Sequence, residues 1–485
     1  MIDIDAFFAS FNPDPNLIVQ CRDAAGCALW QPIIWAALVL FVFVTGFAYS
    51  TLLERRVLAL FQHRVGPNRV GPGGFLQPAA DGVKLVFKED IVPAQAYYPV
   101  WLIAPVLKTL PTLILVAVIP LGPDLLIPWF DGFWYQVPLS LVDINVAVLW
   151  VLAITSIGTY GVVLAGWASN NKYAMLGGLR AASQMISYEL SLGLSMVVPI
   201  LIVGSMSIVD IVNGQANPPI LGWFVFQNPL AAAILFVGFL AEVNRSPFDL
   251  PEAEQELTQG YMTEYSGMKF ALFMMAEYLG MIGTSLVLAS LFLGGFHLAL
   301  VDSAPILGPL VLIGKVVALL VFQIWIRATL PRIRYDRLMT FGWKVMLPLS
   351  LLSVMWTAVS LYVGDTFGTS TAYGVAAGIF FLIVVVGSYV YLTRSGQVKL
   401  HAADETVVQD EEIEDDPMVT GARGGIGYGL LQILGGVIAI PFLLVGFTIK
   451  MLEGVEAMGR TPAEEEALAA EEQAKQLPAQ GSGTD

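Results

Sequence analysis

The sequence predicts an all-α polytopic membrane protein of about nine transmembrane helices, with an interfacial amphipathic helix and a mostly disordered acidic tail. Three observations carry that prediction. Of 485 residues, 56% are hydrophobic and only 13% charged, with a mean hydropathy of +0.71, values that a water-soluble chain of this length rarely reaches. Runs long enough to cross a hydrocarbon core of ~30 Å recur along the chain. The loops between them alternate between Arg/Lys-bearing and base-free, the pattern of the positive-inside rule.

The outer N-terminal segment, 1–31, opens "MIDIDAFFASFNPDPN". It is acidic and lacks the basic region of a signal peptide, so the first apolar span is expected to remain as an anchor. Spans are expected near 32–53, 99–121, 142–165, 182–204, 226–243, 269–294, 305–329, 343–363 and 372–392. The fifth is short and ends at "FLAEVNR", so its lower end should meet water or protein rather than lipid. Loops near 54–98, 166–181, 244–268 and 327–342 carry Arg or Lys, and those near 122–141, 205–228, 295–304 and 364–371 carry none. The N-terminus is therefore expected outside a bacterial inner (plasma) membrane and the charged loops in the cytoplasm. A membrane domain is expected over 32–365, an additional transmembrane helix over 366–393 and a cytoplasmic tail over 394–485.

The net charge of −15 belongs to that tail. Residues 401–485 hold 16 of the 39 acids and 4 of the 24 bases, a net of −12. This distribution argues against nucleic acid as a partner. "DETVVQDEEIEDD" should stay solvated, whereas the apolar segment 426–449 is compatible with a tenth crossing, a re-entrant piece or an interfacial one. Cys21 and Cys27 are the only cysteines, and the histidines (His63, His297, His401) are scattered. Two thiolates do not hold an iron–sulfur cluster, so no redox centre or metal is expected on this chain. A disulfide and two unpaired residues both remain open for the cysteines.

After the turn-rich "VGPNRVGPGG", Phe75, Leu76, Ala79, Val83 and Val86 share one face of an interfacial helix. The helix is either a surface anchor or one wall of a cavity, with Asp81 and Lys84 facing in on the second reading. Glu189, Glu242 and Glu277 lie at similar depth near the cytoplasmic ends of three successive spans, Glu189 and Glu277 each about two turns in. Charges at membrane depth usually face the bundle interior or a water path, and grouped carboxylates suit a proton relay. Lys108 and Lys315 also sit inside spans, with Lys108 the first candidate for a merely structural or snorkelling role. The loop "AEVNRSPFDLPEAEQELTQGYMTEY" adds Asp249, Glu252, Glu254, Glu256 and Glu264 around Arg245. Pro251 at a helix start explains some of these acids, and a plain solvated loop stays open. Arg327 is expected to balance this acidic loop across a shared cavity.

Four blocks carry a resemblance: "ERRVLALFQHRVGPNRVGPGGFLQPAADGVKLVFKED", "GWASNNKYAMLGGLRAASQMISYE", "AEVNRSPFDLPEAEQELTQGYMTEYSGMKFALFMMAEY" and "RATLPRIRYDRLMTFGWKVMLPLSL". In this order they resemble the H subunit of respiratory complex I, a membrane subunit of the proton-pumping NADH–quinone oxidoreductase, over about residues 30–360. The mitochondrial counterpart is NADH dehydrogenase subunit one. The long C-terminus resembles an actinobacterial form, which would favour menaquinone over ubiquinone. The resemblance implies a quinone-access chamber at the junction of membrane and peripheral arms. Arg55, Arg64, Asp81, Lys84, Arg245 and Arg327 would surround it and its entrance, and its tunnel would run between the interfacial helix and the first and sixth spans. It implies that Glu189, Glu242 and Glu277 begin a proton path, and that Asp249, Glu252, Glu254, Glu256 and Glu264 form an acidic loop coupling the two. Flavin and iron–sulfur clusters would belong to neighbouring subunits. The implied partners are the peripheral-arm quinone-site and cluster-bearing subunits, small membrane subunits and, indirectly, antiporter-like subunits, besides membrane lipid. The alternatives are a membrane subunit of a related membrane-bound hydrogenase and a proton-coupled secondary transporter, although no self-similar halves of the transporter kind occur.

Overall fold

In a computed structural model, the described residues are 18–20, 30–128, 134–218, 220, 222–249, 259–298, 301, 305–367 and six positions between 374 and 383. All but Ile383 belong to one compact unit, Met1–Leu382. The helices are α1 (Trp30–Phe61), α2 (Gln77–Val86), α3 (Tyr98–Leu115), α4 (Ala147–Ala168), α5 (Lys172–Val203), α6 (Ile208–Asn213), α7 (Phe224–Gln227), α8 (Pro229–Glu242), α9 (Gly267–Phe292), α10 (Gly308–Thr329), α11 (Tyr335–Phe341) and α12 (Leu347–Phe367). Seven helical stretches are long and apolar enough to cross a membrane, and α8 is a shorter apolar helix. In the last of the seven, a π turn at Gly342–Met346 joins α11 to α12. Eight of the nine expected spans are thus helices, and the chain is a multi-pass membrane protein. The ninth span, Cys21, Cys27, His401 and the tail with 426–449 lie outside the described residues.

Two expectations need correction. A small three-stranded sheet, β1 (Ile18–Gln20), β2 (Leu125–Pro128) and β3 (Trp134–Val137), accompanies the helices. Its order is β1-β3-β2, with β3 parallel to β1 and antiparallel to β2. The fourth span starts ten residues before the expected 182, because Asn171 caps it by accepting from Tyr173 N. Its 32 residues extend about 48 Å at 1.5 Å per residue, more than a hydrocarbon core. Glu189 therefore sits near the middle of α5, not two turns in.

Small residues let the central helices touch backbone to backbone. A Cβ added at Gly161 would lie 2.7 Å from Lys108 N, and one at Gly177 would lie 2.6 Å from Gly260 Cα. The loops sorted by charge meet as sorted. At the base-bearing end Tyr97 N donates to Ala168 O, Ile91 N to Ser266 Oγ, Asn171 Nδ2 to Glu264 Oε1 and Ile333 N to Pro247 O. Beneath them Trp101 stacks on Tyr265 at 5.1 Å, with Phe273 against Tyr265, and Lys269 Nζ sits 3.8 Å over Trp101. At the base-free end Gln215 Nε2 donates to Ser290 O and Leu291 O while its Oε1 accepts from Phe224 N and Gly294 N. There too Lys315 Nζ donates to Leu293 O, Gly295 O and His297 O, satisfying carbonyls just past the C-terminus of α9. Lys315 is thus a structural lysine.

Candidate functional site: a buried ion cluster beside a carboxylate cavity

The base-bearing half of α1 brings Glu54 inside, 4% exposed. Glu54 Oε1 pairs with Arg327 Nη1 from α10 and lies 3.5 Å from Arg245 Nη1, just past α8. The Arg245 guanidinium stacks 4.4 Å over the Tyr278 ring, whose hydroxyl is close enough to feel the charges of both Arg245 and Glu54. Arg245 is 6% exposed. One carboxylate between two guanidiniums leaves the centre net positive, suited to a carbonyl or anionic oxygen. Beside Glu54 begins an apolar cleft of about 460 Å³ along α1, α9 and α10, reaching from Leu53 and Tyr49 to Trp35. Val116, Leu121 and Leu139 complete its lining.

That helix, α2, follows a turn in which Gly74 adopts φ +81°, and a Cβ at Gly74 would meet Pro67 O at 2.2 Å. Its apolar residues Val83 and Val86 are exposed, as are Phe75 and Leu76 just before it, as expected of a face turned to lipid or a partner. Asp81 is half-buried, accepting from Arg55 Nη1 at 2.7 Å and Gln77 Nε2 at 3.1 Å. Lys84 is exposed rather than facing in, and the exposed Arg64 bonds Gln62. These two do not join the buried cluster.

The three glutamates gather from α5, α8 and α9. Glu242, Glu277, Lys108 and Thr155 line a narrow cavity of about 40 Å³, room for a few waters in a polar setting. Glu277 is 2% exposed, and its Oε1 accepts from Tyr261 Oη at 3.1 Å. Glu242 is hydrogen-bonded by Thr155 and feels the charges of Lys108 and Glu189. Glu189, half-buried, accepts from Ser156 Oγ, the next residue on α4. Glu242 Oε2 and Glu277 Oε2 meet no hydrogen-bonding group among the described residues, an arrangement in which a carboxyl can be donor or acceptor according to its protonation.

Cluster and cavity share one segment. Glu242 ends α8, Asn244 turns the chain at φ +57°, and Arg245 points the other way. Gln184 Nε2 fixes this turn by donating to Ala241 O, Phe248 O and Asn244 Oδ1. Of the acidic loop, Asp249 pairs with Arg332 at 3.3 Å and Glu264 with Asn171 at 2.7 Å. Glu252, Glu254 and Glu256 lie outside the described residues. Among the described residues Arg327 thus pairs with Glu54, and Arg332 meets the acidic loop at Asp249. Sequence reasoning missed Glu54 and Tyr278, whose signal was a carboxylate and a phenol at membrane depth on α1 and α9.

Fold and site together define a polytopic helical membrane protein with a buried ion cluster and a carboxylate cavity side by side. Residues 34–358 match the NADH dehydrogenase family. Over 340 residues the chain is 49% identical to the H subunit of NADH-quinone oxidoreductase from Thermomicrobium roseum, covering 68% of this chain and 97% of that one. It is 48% identical to an H subunit from Geobacter sulfurreducens (66% and 92% covered) and 44% identical to NADH-quinone oxidoreductase subunit 8 of Rhodothermus marinus (68% and 98% covered). The chain belongs to this family of complex I membrane subunits, and with it to an oxidoreductase complex rather than to the secondary transporters.

Proposed function

We propose that the chain forms the quinone-access chamber of NADH–quinone oxidoreductase and couples quinone reduction to proton translocation through Glu242, Glu189 and Glu277. The observation that carries this reading is the 242–245 turn: three residues apart, Glu242 enters the carboxylate cavity and Arg245 the buried ion cluster. A quinone whose tail follows the apolar cleft would bring its headgroup towards the net-positive centre at Glu54, Arg245, Arg327 and Tyr278. Electrons come from a cluster in a peripheral subunit. Charge arriving on the headgroup acts on Arg245, and any movement of the turn is passed to Glu242. Carboxylates sharing a low-dielectric cavity are strongly coupled, so a small change at one shifts protons on the others. Asp249 holds the turn against Arg332 below α10 and Glu264 ties the loop to Asn171, and together with Glu252, Glu254 and Glu256 they make up the acidic coupling loop of this reading. The base-bearing loops lie in the cytoplasm in this reading, facing the peripheral arm.

The test is Glu277→Gln and Glu189→Gln in the whole complex reconstituted into vesicles. Assembled complexes that have lost pumping-coupled quinone reduction support the reading. An unchanged proton-to-electron ratio in either well-assembled variant rejects that residue's role in the path.

A further inference from the structure

We propose that Lys108 is a positioning residue of the glutamate cavity, its ammonium serving as the fixed counter-charge that acts on Glu242. The function above gives this role its consequence for pumping, but the charge pairing stands without it.

Lys108 lies in the middle of α3, between the two prolines at 105 and 111, and is only 8% exposed. A snorkelling lysine runs along its helix to the interface, but this side chain turns into the bundle. Its stem passes Gly158, where an added Cβ would stand 3.8 Å from Cδ and 4.0 Å from Nζ. Gly161 lets α4 come close enough to hold that course. The ammonium reaches Met185 Sδ at 3.8 Å, a thioether and a weak acceptor, and it lines the same cavity as Glu242 and Glu277. Its charge acts on Glu242, with Glu189 acting in the opposite sense.

The titratable groups that face this site are Glu189 from α5, Glu242 from α8, Glu277 from α9 and Tyr261 beside Glu277. From α4 come only Thr155, Ser156 and Gly158, none ionisable. An ammonium at this depth is costly unless it meets an opposite charge. The cavity supplies two carboxylates, Glu242 and Glu277, with Glu189 acting on Glu242 from outside it, and Lys108 is the cation among the described residues that line it. Lys315 makes the contrast: its Nζ is taken up by three carbonyls and the Trp223 face, so it serves the fold alone. A cation beside Glu242 favours its carboxylate form and opposes the effect of Glu189. Lys108 therefore supplies the positive charge that faces the cavity's carboxylates.

The experiment is an infrared pH titration of the Glu242 carboxyl in the purified whole complex, its band identified by loss in Glu242→Gln. Lys108→Gln moves the midpoint up by about one pH unit or more, and Lys108→Arg, which keeps the charge, leaves it near the parent value. An unchanged midpoint in Lys108→Gln overturns the proposal. Where Lys108→Gln fails to assemble, the double variant Lys108→Gln/Glu242→Gln decides. Recovery of assembly supports the pair, because the uncompensated carboxylate has gone with its partner, and continued failure overturns it. A failed proton path shows instead as a normal pumping ratio in Glu277→Gln, which this titration does not touch.

Discussion

The ion cluster at Glu54 and the cavity at Glu242 are both buried, both charged and joined by a turn only three residues long, yet they are built oppositely. In the cluster, Glu54 is held between Arg245 and Arg327, with the Tyr278 ring against the Arg245 guanidinium. In the cavity, two glutamates share open space, and each keeps an oxygen without a hydrogen-bonding group among the described residues, as Glu54 Oε2 also does; the difference lies in the space and in the missing flanking guanidiniums. A carboxylate between two guanidiniums resists change of protonation, whereas carboxylates grouped around a cavity invite it. The first arrangement suits holding and sensing a ligand, and the second suits passing protons.

Mutations can break or sharpen this contrast. The largest effect is expected from Glu54→Gln, which leaves Arg245 buried against Arg327 with no carboxylate between them. Losing one partner of a buried ion pair costs about 3 kcal/mol or more, so the assembled complex should be depleted on native gels, with Glu54→Asp milder. Glu277→Gln should assemble normally, since the amide fills the same volume, while coupled quinone reduction falls about tenfold or more. Equal assembly defects in these two variants would erase the distinction between cluster and cavity. Tyr261→Phe removes the donor to Glu277 Oε1 and should cost about 1 kcal/mol, read as a modest fall in coupled turnover. Arg55→Ala should be the smallest. Its pair with Asp81 is 50% and 33% exposed, so thermal stability of the complex should change by ~1 kcal/mol or less.

Much of this was legible in the residues, and the failures have physical causes. Loop charges sorted the two ends correctly, because loops expected on one side do hydrogen-bond to one another. Glu242 and Glu277 stood out as carboxylates in greasy runs. Glu54 did not, because in "LLERR" it precedes two arginines and reads as part of an anchor. Its partners lie 191 and 273 residues away, and only the packing of α1 against α9 and α10 exposes them. The start of α5 was misplaced by following hydropathy, although the Asn171 cap was there to be read. The strands escaped notice because "LLIP" and "WYQV" are too short to show a period of two.

The central claim, that events at the cluster reach the cavity through the 242–245 turn, is tested most directly by redox-induced infrared difference spectroscopy of the whole complex. The account predicts a carboxyl band that appears on quinone reduction, is lost in Glu242→Gln and is weakened in Arg245→Lys. A band of unchanged size in Glu242→Gln would contradict it.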